Sequence, residues 1–246
     1  MRIDIWSDIV CPFCYVGKRN LEQALAEFEH RDEVEVVWHS FELDPSATEH
    51  PAGSLPEMIA GKYQMSLEQA IASQESLAER AREVGLDFNW RQARYGNTFD
   101  AHRVIQYAAE QGLASAAQEA FKLAYFTQGR SVQDHESILD IASEIGLDTA
   151  EVEAVLKSDR YAADVRADEQ LARQLGINGV PFFLIESKWA VSGAQPAKML
   201  VQALRQVWEE THRVEFLNPL AGAAGDAAGN NAAEAGPSCD MNGNCS

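Results

Sequence analysis

Ile3-Asp4-Ile5-Trp6-Ser7-Asp8-Ile9-Val10-Cys11-Pro12-Phe13-Cys14 carries the decision about this chain. The alternation of Ile3-Asp4-Ile5-Trp6 has the period of a strand, whereas Lys18 to Phe28 places Leu21, Leu25 and Phe28 on one face of a helix. Cys11 and Cys14 therefore fall at a strand-to-helix junction. Val34-Glu35-Val36-Val37-Trp38 then reads as a second strand, so the chain opens as a βαβ unit. A helix N-terminus leaves backbone N–H groups unpaired and carries partial positive charge, which favours a thiolate there. Cys11 is the candidate nucleophile on that ground.

An ordinary cysteine ionises near pH 8.5, and lowering that by about three units takes roughly 4 kcal/mol. A helix dipole supplies about 0.3–1 kcal/mol and at most about 2, so direct N–H bonds from Phe13 and Cys14 have to add to it. Lys18 lies too far along the helix to contribute much. Pro12 suits the first helical turn, where its missing N–H would be unpaired anyway. Phe13 brings neither a proton donor nor a charge. In the chemistry expected here, Cys11 exchanges with a disulfide sulfur and Cys14 resolves the mixed disulfide. The competing reading of Cys-X-X-Cys is half of a zinc site. A strand before, a helix after and Pro12 between favour redox chemistry, and no metal is expected.

Further along, Pro45 to Pro56 is turn-rich and leads into a long helical tract. From Ser66 to about Gly176 the pattern is five or six helices, with capping-box starts at Ser66–Gln69 and Asp148–Glu151. Gly85, Gly112, Gly129, Gly146 and Gly176 stand where left-handed C-caps belong. Val180 to Ile185 reads as a buried strand, Trp189 to Ser192 as its hairpin partner and Pro196 to Glu210 as a closing helix. The fold class is α/β, with one sheet built from both ends of the chain around an all-helical insertion. The expected division is 1–50 with 177–217 as the sheet domain, 51–176 as the insertion and 218–246 as a tail. Beyond Leu217 the composition turns to Ala, Gly, Asn and Pro, which predicts a flexible segment.

The chain has 246 residues, 46% of them hydrophobic, enough for a full core, and a net charge of −18. That acid excess argues against nucleic acid and anionic membranes as partners, since both are bound through Lys and Arg. No window approaches the roughly 18 apolar residues of a membrane span, and the start at Met1 lacks the pattern of a secretory signal. A soluble protein of the cytoplasm is expected. The four cysteines form two pairs, Cys11/Cys14 and Cys239/Cys245, with none between. About twenty flexible residues give the tail pair a reach near 25 Å and an effective concentration of about millimolar at the first pair. Cys239 and Cys245 are therefore candidates for a disulfide relay, with an inert tail or local disulfide, or metal binding, as the alternatives.

Several segments together resemble the DsbA family of thioredoxin-fold oxidoreductases, most closely its cytoplasmic FrnE-type branch. They are Ser7 to Cys14, Phe41-Glu42-Leu43-Asp44-Pro45, Asn97 to Arg103, Gly179-Val180-Pro181-Phe182-Phe183 and Val191 to Pro196, spanning about residues 1–210. The resemblance implies a thioredoxin fold and a thiol–disulfide oxidoreductase acting on protein or peptide disulfides. It also implies that Pro181 is a cis-proline facing the active site, that the Val180 backbone pairs with substrate, and that Pro12 and Phe13 help to bind it. No cofactor beyond the redox disulfide is implied, with glutathione as a redox partner; direction and oligomeric state stay open. Kappa-class glutathione transferases and 2-hydroxychromene-2-carboxylate isomerases share Phe41 to Pro45 and the insertion, but typically carry serine at the position of Cys11. They are the alternative reading. Thr98 is expected to cap a helix with His102 and Arg103 on its surface, or else the segment 97–103 lines the substrate groove.

Overall fold

Both faces of the first strand are apolar enough to be covered, and in the computed structural model of this chain they are. The structure describes residues 1–48 and 53–213. Strand β1 (Arg2–Ser7) pairs in parallel with β2 (Glu35–Ser40) and antiparallel with β3 (Phe182–Ile185), which pairs antiparallel with β4 (Trp189–Ser192). The sheet order is β2-β1-β3-β4, so the strand that delivers the cysteines is flanked by one near neighbour in sequence and one far from it. In this register Ile5 stands beside Trp38 on one side and Phe183 on the other.

Ile3 and Ile5 point to the face covered by α1 (Pro12–Glu27) and α9 (Ala197–Thr211). Leu21, Ala24 and Phe28 interdigitate there with Leu200, Val201 and Leu204. Each such fully buried leucine or valine contributes about 1.5–3 kcal/mol. Trp6, on the opposite face, packs with Phe182, Leu184, Ala172 and Ile177. Its indole N–H donates to the Asp168 carbonyl at 3.1 Å, tying the sheet to α8 (Ala162–Gln174).

Between β2 and β3 run α2 (Leu55–Tyr63), α3 (Leu67–Glu83), α4 (Phe99–Glu110), α5 (Ala114–Phe126), α6 (His135–Glu144), α7 (Thr149–Leu156) and α8. From Ser66 to Gly176 that makes six helices, and α2 comes before them. They build a second core around Phe121, Tyr125, Ile138 and Ile141. Ile9 and Tyr15, from the junction carrying the cysteines, belong to this helical core although their neighbours in α1 face the sheet. Residues Met1–Thr211 form one compact unit.

Ser66 makes the expected reciprocal capping box with Gln69. Asp148 caps α7 by accepting from Ala150 and Glu151 N–H, but Glu151 pairs with Arg160 instead of reaching back, so that box is half made. At the end of α3, Gly85 takes φ 77°. Its N–H reaches the Arg82 carbonyl while Leu86 N–H reaches Ala81, the paired bonds of a Schellman cap. Among the described residues no helix is long and apolar enough to cross a membrane. The Cys239/Cys245 relay and the tail lie outside the described residues.

Candidate active site

Cys11 occupies the N-cap of α1 in extended conformation, Pro12 is its first helical residue, and Cys14 sits within the first turn. The Cys11 carbonyl accepts from Cys14 N–H at 3.1 Å and Tyr15 N–H at 3.3 Å, so the helix begins at the first thiol. Both cysteines are free thiols. Opposite them the Val180–Pro181 bond is cis, and Cys11 Sγ donates to the Val180 carbonyl at 3.5 Å. Pro181 approaches α1 at Gly17, where a Cβ would lie 2.9 Å from the proline Cγ. Val180 and Pro181, more than 160 residues from Cys11, are thus brought against the thiol.

Cys11, Pro12 and Phe13 form one wall of a cavity of about 610 Å³. Val180, Leu43 and the α2 residue Met58 are among its other lining groups, and Cys14 does not reach it. Phe13 at 44% and Tyr63 at 64% exposure, with exposed Leu43, leave an apolar rim around the opening. Exposed apolar clusters of this kind are typical of binding surfaces.

The two thiols are buried against each other, and each shifts the other's ionisation. Cys11 is pushed well above the ordinary thiol range, first by its hydrogen bond to Cys14, in which it is the donor, and then by burial. Burial raises Cys14 too, but the hydrogen bond from Cys11 and the positive charge of Lys122 outweigh it and hold Cys14 below that range. The Cys14 N–H favours ionised Cys11, against the hydrogen bond to Cys14 and burial, which oppose it. Access still points to Cys11 as the sulfur that meets a substrate.

Beneath the pair lies a polar cluster. Asp8, fully enclosed, accepts from Ile9 N–H at 2.7 Å and Leu43 N–H at 2.8 Å, and His102 Nε2 lies 3.2 Å away. Burial pushes the Asp8 carboxyl up, yet these bonds, the one with His102 foremost, hold it below its usual range. His102 and Arg103 are buried, which corrects their placement on a helix surface. Arg103 instead caps the end of α7: its Nε donates to the Arg160 carbonyl at 2.9 Å, and Nη2 donates to the carbonyls of Val155 and Ser158. Thr98 stands at the N-cap of α4 without a side-chain capping bond; Asn97 Oδ1 takes the Phe99 N–H at 2.8 Å. None of residues 97–103 lines the cavity at Cys11.

Lys18 is committed elsewhere: it is buried against Glu22 and Glu119, the latter at 2.7 Å. Lys122, on α5, is the basic group near Cys14 that sequence reading passed over. The available signal was a lysine interrupting the apolar stripe Ala117, Phe121, Ala124 and Tyr125. Among the described residues no group of three or more His, Cys, Asp or Glu side chains gathers as metal ligands do.

A family model described as a DSBA-like thioredoxin domain matches residues 2–205. The chain belongs to the DSBA-like thioredoxin family. This membership carries a thiol–disulfide oxidoreductase character at the level of the family. The crystal structure of a probable DsbA oxidoreductase from Streptomyces coelicolor is 42% identical, covers 100% of this chain and 98% of its own, and superposes with a TM-score of 0.83. An uncharacterised protein of Bacillus subtilis, YwbO, is 28% identical over 187 residues, which is 75% of this chain and 86% of the relative. A 2-hydroxychromene-2-carboxylate isomerase structure shares the fold at 16% identity and TM-score 0.66, covering 86% of this chain and 98% of that one.

Proposed function

We propose that this DSBA-like protein exchanges disulfides with proteins or peptides through Cys11 and Cys14, as a soluble, cytoplasmic FrnE-type enzyme with glutathione as a redox partner. The observation that carries this reading is the division of labour between the sulfurs. Cys11 lines an apolar-rimmed cavity beside the Val180 carbonyl and cis-Pro181, while Cys14 is enclosed one turn deeper. When a substrate disulfide approaches, Cys11 Sγ gives up its proton to solvent and attacks one substrate sulfur. A mixed disulfide forms and the first substrate thiolate leaves with the proton from Cys14. Cys14 Sγ then attacks Cys11 Sγ, closing the intramolecular disulfide and expelling the second thiolate, so two electrons pass to the substrate. The reverse sequence oxidises a substrate dithiol. As substrate enters, the Val180 carbonyl exchanges its contact with Cys11 for a peptide N–H, and Pro12 and Phe13 supply apolar contact.

Cys14→Ser tests this directly. The variant should accumulate a mixed disulfide between Cys11 and a cystine-containing peptide, visible by mass spectrometry, whereas Cys11→Ser should form none and lose turnover. A Cys14→Ser protein that captures no peptide, alongside wild type that binds glutathione without turning over disulfides, would refute the proposal in favour of the glutathione-dependent isomerase reading.

A further inference from the structure

Helix α2 turns its apolar stripe towards the cavity at Cys11. Leu55, Met58, Ile59 and Tyr63 recur at helical spacing and all line that space, and of the four only Leu55 also packs against the helical core. Leu77 and Arg80, one turn apart on α3, line it as well. An apolar stripe left without a core beside a reactive sulfur is surface available to a ligand. The flexible thioethers of Met58 and Met65, both at the cavity, adapt to side chains of different shape. The charges around the cavity are one-sided. The chain has 38 acidic and 20 basic residues, yet the charged groups lining this cavity are Lys62 and Arg80, and no acidic residue among the described ones joins them. Lys62 is answered by Asp44 at 3.3 Å, a carboxylate that also accepts the O–H groups of Tyr95 and Ser46. Arg80 is exposed and has no ion-pair or hydrogen-bond partner among the described residues; Glu79 and Glu83, its neighbours along α3, do not line the cavity. A cation in the last turn complements the helix dipole, as Arg82 also does, but of the two only Arg80 reaches the cavity. The natural partner of a free guanidinium is a carboxylate, which it holds through two parallel N–H···O bonds.

We propose that this cavity selects the polypeptide substrate by its sequence next to the reacting disulfide, seating an apolar side chain against the α2 stripe and an aspartate or glutamate carboxylate on Arg80. The inference rests on the exchange reading above and names its substrate class: polypeptide disulfides flanked by apolar and acidic residues. Cys11 lines the same cavity, so any sulfur it attacks brings its flanking residues into that space. Glutathione supplies carboxylates but no apolar side chain, and it leaves the stripe uncovered. Arg80 determines specificity through binding. Its ion pair is made alike in the bound and the reacting states, so its effect falls on KM.

Disulfide-bonded peptides test this, each with leucine beside a cysteine and with Glu, Gln or Lys placed in turn at the next three positions. At one position or more, wild-type kcat/KM should fall in the order Glu, Gln, Lys, with a spread of at least about threefold that lies in KM and narrows as salt is added. Arg80→Gln should level the order and Arg80→Glu should reverse it. Each comparison is a ratio between peptides within one protein, so it holds whatever the variant's overall activity. Replacing the peptide leucine with serine should raise KM for wild type, and Met58→Ser should shrink that difference. Peptides that react alike whatever their charge, an order that survives Arg80→Glu, or a leucine that makes no difference would each overturn the assignment. So would an Arg80 dependence confined to oxidised glutathione, or turnover of the small uncharged bis(2-hydroxyethyl) disulfide with none of the peptides. Wild type that turns over neither these peptides nor bis(2-hydroxyethyl) disulfide would instead refute the exchange reading itself, so the two failures are separable.

Discussion

Replacing Gly17 with alanine sets two opposed effects against each other at the point where α1 meets the Pro181 loop. Alanine in a helix interior is favoured over glycine by about 0.8–1.0 kcal/mol. The added Cβ, however, would lie 2.9 Å from Pro181 Cγ, closer than carbon atoms pack at rest, with Phe183 Cζ in ordinary contact at 3.4 Å. Retreat is restricted on the far side, because the Pro181 carbonyl accepts the Gly193 N–H at 2.9 Å and Phe183 is paired with Val191 in the sheet. Overpacking of this kind costs about 1–3 kcal/mol, so Gly17→Ala should be neutral to destabilising by about 2 kcal/mol in urea unfolding. Gly61→Ala provides the reference. Gly61 is an exposed residue of α2 whose Cβ would meet nothing within 4 Å, so that change should stabilise by up to about 1 kcal/mol. Gly17→Ala should also slow alkylation of Cys11, since a displaced Pro181 carries the Val180 carbonyl with it. The reasoning fails if Gly17→Ala stabilises the protein as much as Gly61→Ala does.

His39 lies between two carboxylates, 2.6 Å from Asp168 and 2.8 Å from Asp4, and stacks on Trp6 at 4.4 Å. Burial opposes its charge, but the Asp168 and Asp4 contacts outweigh burial and raise its pKa, and Asp4 is held below the usual carboxylate range. A raised folded-state value means stability fully present below the unfolded value near 6.5 and lost as pH climbs through the folded one, about 1.4 kcal/mol for each pH unit that separates the two values. Wild type should therefore exceed His39→Gln in stability most at pH near 6, with the gap closing in alkaline buffer; a gap independent of pH would contradict the ion-pair account. Cys239→Ser/Cys245→Ser should leave thermal stability unchanged while slowing transfer of disulfides between external partners and Cys11/Cys14 severalfold in stopped-flow measurements. Identical rates would leave the tail pair without a relay role.

What the sequence by itself determined is local. Alternation in β1, the stripe of Leu21, Leu25 and Phe28, the capping box at Ser66 and the turn glycines all act over a few residues, where one backbone geometry wins regardless of the rest. Cys11 and Cys14 were legible for the same reason: a four-residue spacing at a strand-to-helix junction needs no distant partner to be recognised. The position of Pro181 was legible as a family resemblance, but its approach to Gly17 and the Val180 contact with Cys11 depend on where β3 enters the sheet beside β1. His102 and Arg103 look like surface residues of a helix because their partners, Asp8 and the carbonyls at the end of α7, are separated from them by about a hundred and about fifty residues respectively. What acts on the thiols beyond the helix start comes from tertiary structure. A pKa sums burial, hydrogen bonds and charges over everything within reach, and the positive charge that lowers Cys14 is that of Lys122, delivered by a helix more than a hundred residues downstream.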